Sequence, residues 1–160
     1  SENDRPDSFP EKQLFLALDY DFAGEDLEKF VFNNAKQAFS IWLQGLIGTI
    51  IDYTLSRLKN KDEIFYNDLS RDPDLFITEG DYQFEVYRMM QKSNGNNWQE
   101  FSPVTNVYWI HYILLKIMNE CYYKNINTKI HKETLKELGT LAHKILTHKS
   151  AVELVLMLNS

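Results

Sequence analysis

Residues 104 to about 123 are apolar on most sides of a helical wheel, and no other stretch constrains the fold as much. A helix with one apolar stripe can lie on a surface, but one that is apolar nearly all round has to be enclosed by other elements. The stretch is therefore expected to form a central helix, with Ser102 as its cap and Pro103 in its first turn. Its neighbours read as the walls. Residues 82–91 fit a short helix turning Phe84, Val86, Tyr87 and Met90 inward. Residues 128–148 fit a longer one whose inner stripe is Ile130, Leu135, Leu138, Leu141, Ala142, Ile145 and Leu146. Ser150 and Glu153 have capping-box spacing ahead of a closing helix at 151–158. Upstream, a helical stripe starts at Asp26 and runs through Leu27, Phe30, Val31, Ala35, Ala38, Phe39, Trp42 and Leu43. Residues 13–21 alternate as a buried strand would, and a short β-branched run, Ile47 to Ile51, ends at Asp52. Residues 60–81 are irregular and acidic. The sum is a mainly α fold with a few short strands, in one domain of 160 residues that can bury a sizeable core. Residues 1–12, polar and Pro-containing, read as a flexible lead-in.

Charge and cysteine content narrow the function. A net charge of -6 argues against general nucleic-acid binding, which needs a basic stripe, and favours a basic partner. Cys121 is the only cysteine, so no internal disulfide forms and a reducing compartment is expected. No signal peptide or membrane-spanning run is expected either.

The chemistry concentrates in a few places. Asp52-Tyr53-Thr54 follows the β-branched run and leads into Leu55-Ser56-Arg57-Leu58. A carboxylate there suits a hard cation such as Mg²⁺, though an Asp at a strand end also commonly caps a turn. Asp68, Asp72, Asp74, Glu79, Asp81 and Glu85 lie within eighteen residues, opposed in that span only by Arg71. Such a run is most often a solvated loop, but this one interrupts an otherwise hydrophobic chain. His111 sits among Trp109, Ile110, Tyr112 and Ile113 and reads as a packed helix residue. His131 reads as a surface residue, and the five-residue gap from His143 to His148 does not put both on one face for a metal. Cys121 reads as a buried thiol, and Trp98 and Trp109 as core anchors.

Several of these segments together resemble the haspin-type atypical serine/threonine protein kinases. They are Asp52-Tyr53-Thr54, Asp72-Pro73-Asp74-Leu75-Phe76, Gly80-Asp81-Tyr82-Gln83-Phe84-Glu85-Val86-Tyr87-Arg88, Asn96-Asn97-Trp98 and Asn106-Val107-Tyr108-Trp109-Ile110-His111-Tyr112. The resemblance covers about residues 13–120. It implies a protein-kinase large (C-terminal) lobe and phosphoryl transfer from Mg-ATP to a threonine near the start of a histone tail. The setting it implies is nuclear and chromatin-associated, in dividing cells, without direct nucleic-acid or membrane contact. Asp52 corresponds to the metal-holding Asp. Tyr20 takes the gatekeeper position, Asp21 to Gly24 the hinge, and Asp26 the ribose-contacting position, which an N-cap role would equally explain. Asp72, Asp74 and Asp81, with Glu28, fall where that family holds the basic tail.

The resemblance also implies parts that these 160 residues do not contain. Those parts are a glycine-rich phosphate loop, a strand Lys paired to a helix Glu, and a His-Arg-Asp loop with its downstream Asn. The arginines are Arg5, Arg57, Arg71 and Arg88, none of them within His-Arg-Asp. Where the catalytic loop is expected, residues 44–50 join the upstream helix directly to the run before Asp52. A segment left out of the sequence, a spliced or engineered deletion, and natural loss of catalysis all fit that join. The partial kinase domain is thus expected over 13–160, inactive by itself. The alternative is a non-catalytic module that binds a basic peptide through an acidic groove.

Overall fold

A computed structural model describes residues 29–44 and 55–158. The strand expected at 13–21, the lead-in, and the join with Asp52 lie outside the described residues.

The described chain runs β1 (Val31–Phe32), α1 (Ala35–Gln44), β2 (Leu58–Asn60), β3 (Glu63–Phe65), a 3-10 turn (Leu69–Arg71), α2 (Asp74–Ile77), α3 (Tyr82–Asn94), α4 (Val104–Asn119), β4 (Tyr122–Tyr123), α5 (Lys129–Ile145) and α6 (Ala151–Leu158). The mainly helical class with a few short strands is as expected. α4 is the central helix. Val107, Leu114 and Ile117 on it join Phe32, Ala38, Leu138, Ala142, Ile145 and Leu154 in one buried cluster. Tyr108, Trp109 and Tyr112, on its other side, pack against Leu69, Val86, Tyr87, Met90 and Trp98. One helix therefore seeds two cores, as its apolar circumference requires.

Several boundaries differ from expectation for local reasons. The upstream helix begins at Ala35 rather than Asp26 within the described residues. Asn34 Oδ1 accepts the amides of Lys36 at 3.0 Å and Gln37 at 3.2 Å, so Asn34 caps the helix. Just before it, β-branched Val31 and aromatic Phe32 pair in parallel with Tyr122 and Tyr123. The central helix accordingly stops at Asn119, four residues short of Tyr123. Pro103 opens that helix without a side-chain cap; Ser102 contributes its carbonyl, which accepts from the Thr105 amide and hydroxyl, and not its own hydroxyl. Residues 60–81 are not wholly irregular, because an antiparallel hairpin turns at Lys61, whose φ is 53°, and a 3-10 turn and α2 follow.

α3 outlasts its expected end by three residues and closes at Gly95, whose φ of 61° gives a left-handed cap that glycine adopts without strain. α5 starts as expected, with Thr128 Oγ1 accepting the His131 amide, but ends at Ile145. Of its expected inner stripe, Ile130 and Leu146 are exposed. Ser150 Oγ accepts the Glu153 amide, and Glu153 reaches back to the Lys149 amide, one residue earlier than a standard capping box.

Candidate functional site

The acidic segment is built around α2, which at four residues is too short to hold itself in water. Two interactions fix it. Leu75 and Phe76 pack into the aromatic core, with the Phe76 ring 6.0 Å from Trp98. Arg88 of α3 donates from Nη1 to the carbonyls of Phe76 and Thr78, at 3.3 and 3.0 Å, satisfying acceptors that the end of α2 leaves open. Arg88 is itself steadied by Glu85 at 2.8 Å. Upstream, Asp68 accepts the Ser70 amide and hydroxyl and pairs with Arg71 at 3.4 Å. The Ser70 hydroxyl is the largest influence holding its carboxyl below the usual value. Leu69, next to it, is buried.

The three carboxylates expected to meet a basic tail therefore stand on a fixed frame, but in unlike circumstances. Asp72 and Asp74 are exposed at the start of α2, and their side chains make no hydrogen bond or ion pair among the described residues. Asp81 follows Gly80, whose φ of 114° lets the chain turn into α3. It caps that helix, Oδ1 accepting the Gln83 amide at 2.8 Å. Its Oδ2 takes Lys116 Nζ of α4 at 2.6 Å, and Lys116 also reaches Glu120 at 2.6 Å. Burial pushes the Asp81 carboxyl up, yet the Gln83 amide and Lys116 together outweigh it and leave it below its usual range. Thus Arg71 is not the sole cation facing the acidic run, since Lys116 arrives from another helix. No spacing in the sequence connects Lys116 with Asp81, 35 positions away. Arg88 was similarly silent as the brace of α2, although its position three after Glu85 signals that pair.

The histidines divide. His111 is buried as expected, with Nδ1 3.1 Å from the Tyr82 hydroxyl. Burial lowers its affinity for a second proton, and His143 adds to this. His131 is buried, not on the surface. Its Nδ1 accepts the Ala35 amide at 3.0 Å and its ring meets Tyr123 edge-on at 4.9 Å. The imidazole so satisfies one of the open amides at the start of α1. Cys121 is half-buried beside the aliphatic core, and Trp98 anchors the aromatic one.

Asp21, Gly24 and Asp26, expected at the nucleotide, Glu28 at the tail, and Asp52 at the metal all lie outside the described residues. Among the described residues, no three His, Cys, Asp or Glu side chains converge to hold a metal ion, and no helix is long and apolar enough to cross a membrane.

Comparison with known proteins gives the frame a context. The family described as Haspin like kinase domain matches residues 45–154. The serine/threonine-protein kinase haspin homolog of Drosophila melanogaster is 35% identical over 199 residues, covering 94% of this chain. Serine/threonine-protein kinase haspin of Bos taurus is 34% identical over 208 residues, covering 97% of it, and that of Mus musculus is 34% identical over 206. This chain spans about a quarter to a third of the length of those relatives (35%, 26% and 27%). Since 94% of 160 residues is about 150, about fifty residues of the fly protein's 199-residue match have no counterpart in this chain.

Proposed function

Because this chain belongs to the haspin-like kinase family, we propose that the complete protein transfers phosphate from Mg-ATP to a threonine near the start of a histone tail, in the nucleus. We further propose that the 160 residues keep the tail-docking part of that task without its chemistry. Asp52 would hold the magnesium ion, a carboxylate being the hard oxygen ligand such an ion prefers. Asp21, Gly24 and Asp26 would line the nucleotide's adenine and ribose. Phosphoryl transfer depends almost wholly on positioning and charge neutralisation. The His-Arg-Asp loop and its Asn, which do that work at the acceptor, are missing from the sequence. A segment absent at the join would account for the fifty residues of the fly relative's match that have no counterpart here.

One observation carries the docking reading. Asp72, just before α2, and Asp74, its first residue, are exposed and make no side-chain hydrogen bond or ion pair among the described residues, beside a short helix that Arg88 and the aromatic core hold in place. Carboxylates fixed in that way can receive Arg, Lys or a free amino terminus through charge-assisted hydrogen bonds.

The test uses the purified 160-residue chain and a synthetic peptide with a free amino terminus, Arg and Lys. With Mg-ATP, no phosphate should be incorporated above background. Calorimetric titration at two salt concentrations should show weak binding that salt weakens further. Asp72→Asn, Asp74→Asn and Asp81→Asn together should abolish it. Asp62→Asn, Glu63→Gln and Glu100→Gln, the same charge change elsewhere, should spare it. Equal losses from the two sets would mean that the acidic segment is only a solvated surface.

A further inference from the structure

Lys116 changes what Asp81 can do for a basic tail. Its side chain is only 18% exposed and is held at 2.6 Å from both Asp81 Oδ2 and Glu120 Oε2, with Nζ 5.4 Å from the Tyr112 ring centroid. With Oδ1 of Asp81 given to the Gln83 amide, both of its oxygens are engaged before any ligand arrives. Yet 31% of the Asp81 side chain remains open to solvent, so the carboxylate can be reached from outside.

Resting on the docking reading above, we propose that Lys116 is an internal occupant of the cation position on Asp81. A basic tail reaches Asp81 by displacing this lysine and not by filling an empty site, which makes Lys116 a specificity-determining residue for docking. Glu120 supplies the reason exchange is possible. A lysine released from Asp81 keeps one carboxylate partner, so its charge is not stranded in a half-buried place. The hydrogen bond that Lys116 donates to Asp81, ahead of the one it donates to Glu120, pushes the ammonium's proton affinity up, so it stays charged throughout the neutral range.

The consequence is a division of labour. Asp72 and Asp74 have no ion-pair partner among the described residues and should supply most of the attraction. Asp81 should select, because only a group that outcompetes a preplaced ammonium gains it. A guanidinium that makes two parallel hydrogen bonds is better suited to that than a second ammonium.

Two measurements on the full chain test this with the same peptide. In wild-type protein, the Lys116 Nζ resonance in lysine-selectively ¹⁵N-labelled samples should shift or broaden as peptide saturates the Asp72 and Asp74 surface. An unchanged resonance at saturation overturns the proposal. In the variants, Lys116→Met should tighten peptide binding about two- to five-fold, the range expected for removing one partly exposed competing charge. The gain should vanish in the Lys116→Met, Asp81→Asn double variant, and Lys116→Arg should show none. Tightening that persists without Asp81, or weaker binding in a folded Lys116→Met protein, overturns it. Absence of peptide binding even at low salt would instead sink the docking reading. Binding that depends on Asp72 and Asp74 but ignores Lys116 would sink this inference alone.

Discussion

On one face of α4 the buried side chains are Val107, Leu114 and Ile117, meeting Leu138, Ala142, Ile145 and Leu154. On the other, Tyr108, Trp109 and Tyr112 meet Val86, Tyr87, Met90 and Trp98. The aliphatic side carries α1, α5 and α6, and its buried imidazole, His131, is spent on capping α1. The aromatic side carries the acidic segment and has polar handles running through it, Tyr82 to His111 and Asp81 to Lys116. Aliphatic carbon can only pack, whereas Tyr, Trp and His bury area and still present a donor or acceptor. The difference lies in what the polar atoms meet: on the first side Tyr123 and His131 are turned to backbone groups, the Ile117 carbonyl and the Ala35 amide, whereas on the second the polar side chains meet one another.

If that contrast is sound, the largest loss from a single truncation that leaves function-related surfaces intact belongs to the aliphatic side. Leu114→Ala, at a fully buried position of α4, should cost about 2–5 kcal/mol in urea unfolding, from lost transfer energy and the cavity left behind. The near-ultraviolet signal of the tryptophans should keep its native shape in the surviving folded fraction. A cost under about 1 kcal/mol, against that expected range, would mean that the aliphatic side is loosely packed, and the contrast would fail.

Acid should find the aromatic side first. Burial, with His143 adding to it, disfavours the charged form of His111 in the folded state, so its folded pKa lies below the unfolded value. Below about pH 6.5 the unfolded chain binds a proton that the folded chain refuses, and stability falls as pH drops toward the folded pKa. The slope can reach about 1.4 kcal/mol per pH unit. Asp81 behaves oppositely in sign and lower in range. Its folded pKa is depressed, so its contribution is complete above about pH 4 and is lost as pH falls through the folded value. Stability measured from pH 8 to 3 should therefore decline in two separate windows. His111→Gln should remove the upper one and Asp81→Asn the lower. A single decline untouched by either change would place the acid sensitivity elsewhere.

The two helix caps offer a smaller comparison. Thr128→Ala, on the aliphatic side, should cost about 1 kcal/mol, the usual value for a lost N-cap. Asp81→Ala removes a cap and also takes one of two carboxylates from Lys116, so it should cost more than Thr128→Ala. Equal costs in thermal melting would show that the Lys116 contact contributes nothing to stability, leaving only its role in docking.

These contrasts were unevenly legible in the sequence. The all-round apolar character of residues 104 to about 123 announced a central helix, though not its end at Asn119, and the resemblance led to Asp72, Asp74 and Asp81. The local capping signal at Ser150 also held, because it depends on residues three positions apart, whereas Ser102 does not cap with its hydroxyl. What stayed hidden was long-range. His131 looked like a surface residue on a charged helix, and only the approach of α1, 96 positions earlier, gives its Nδ1 an amide to accept. The stripe from Asp26 to Ala35 fitted a helix until strand pairing with Tyr122 and Tyr123 competed for Val31 and Phe32. For Lys116 the sequence offers only the four-residue spacing to Glu120, and nothing that joins it to Asp81.

That last pair has a twin, and the twin gives the finest test. Lys129 and Glu133 on α5 share the spacing and order of Lys116 and Glu120, an order weaker than its reverse against the helix dipole. Spacing alone would make the two pairs equal. The environments differ, since Lys129 is 87% exposed and 3.7 Å from Glu133, whereas Lys116 is 18% exposed and 2.6 Å from Glu120. An exposed pair is hydrated, screened and entropically costly to fix, so Glu133→Gln should change stability by about 0.3 kcal/mol or less. In 0.5 M salt even that should disappear. Glu120→Gln leaves a half-buried ammonium dependent on Asp81 alone, so its effect should be larger and should survive the salt. If both substitutions have the same small, salt-sensitive effect, Lys116 is solvated like any surface lysine, and the aromatic side loses its polar handle on α4.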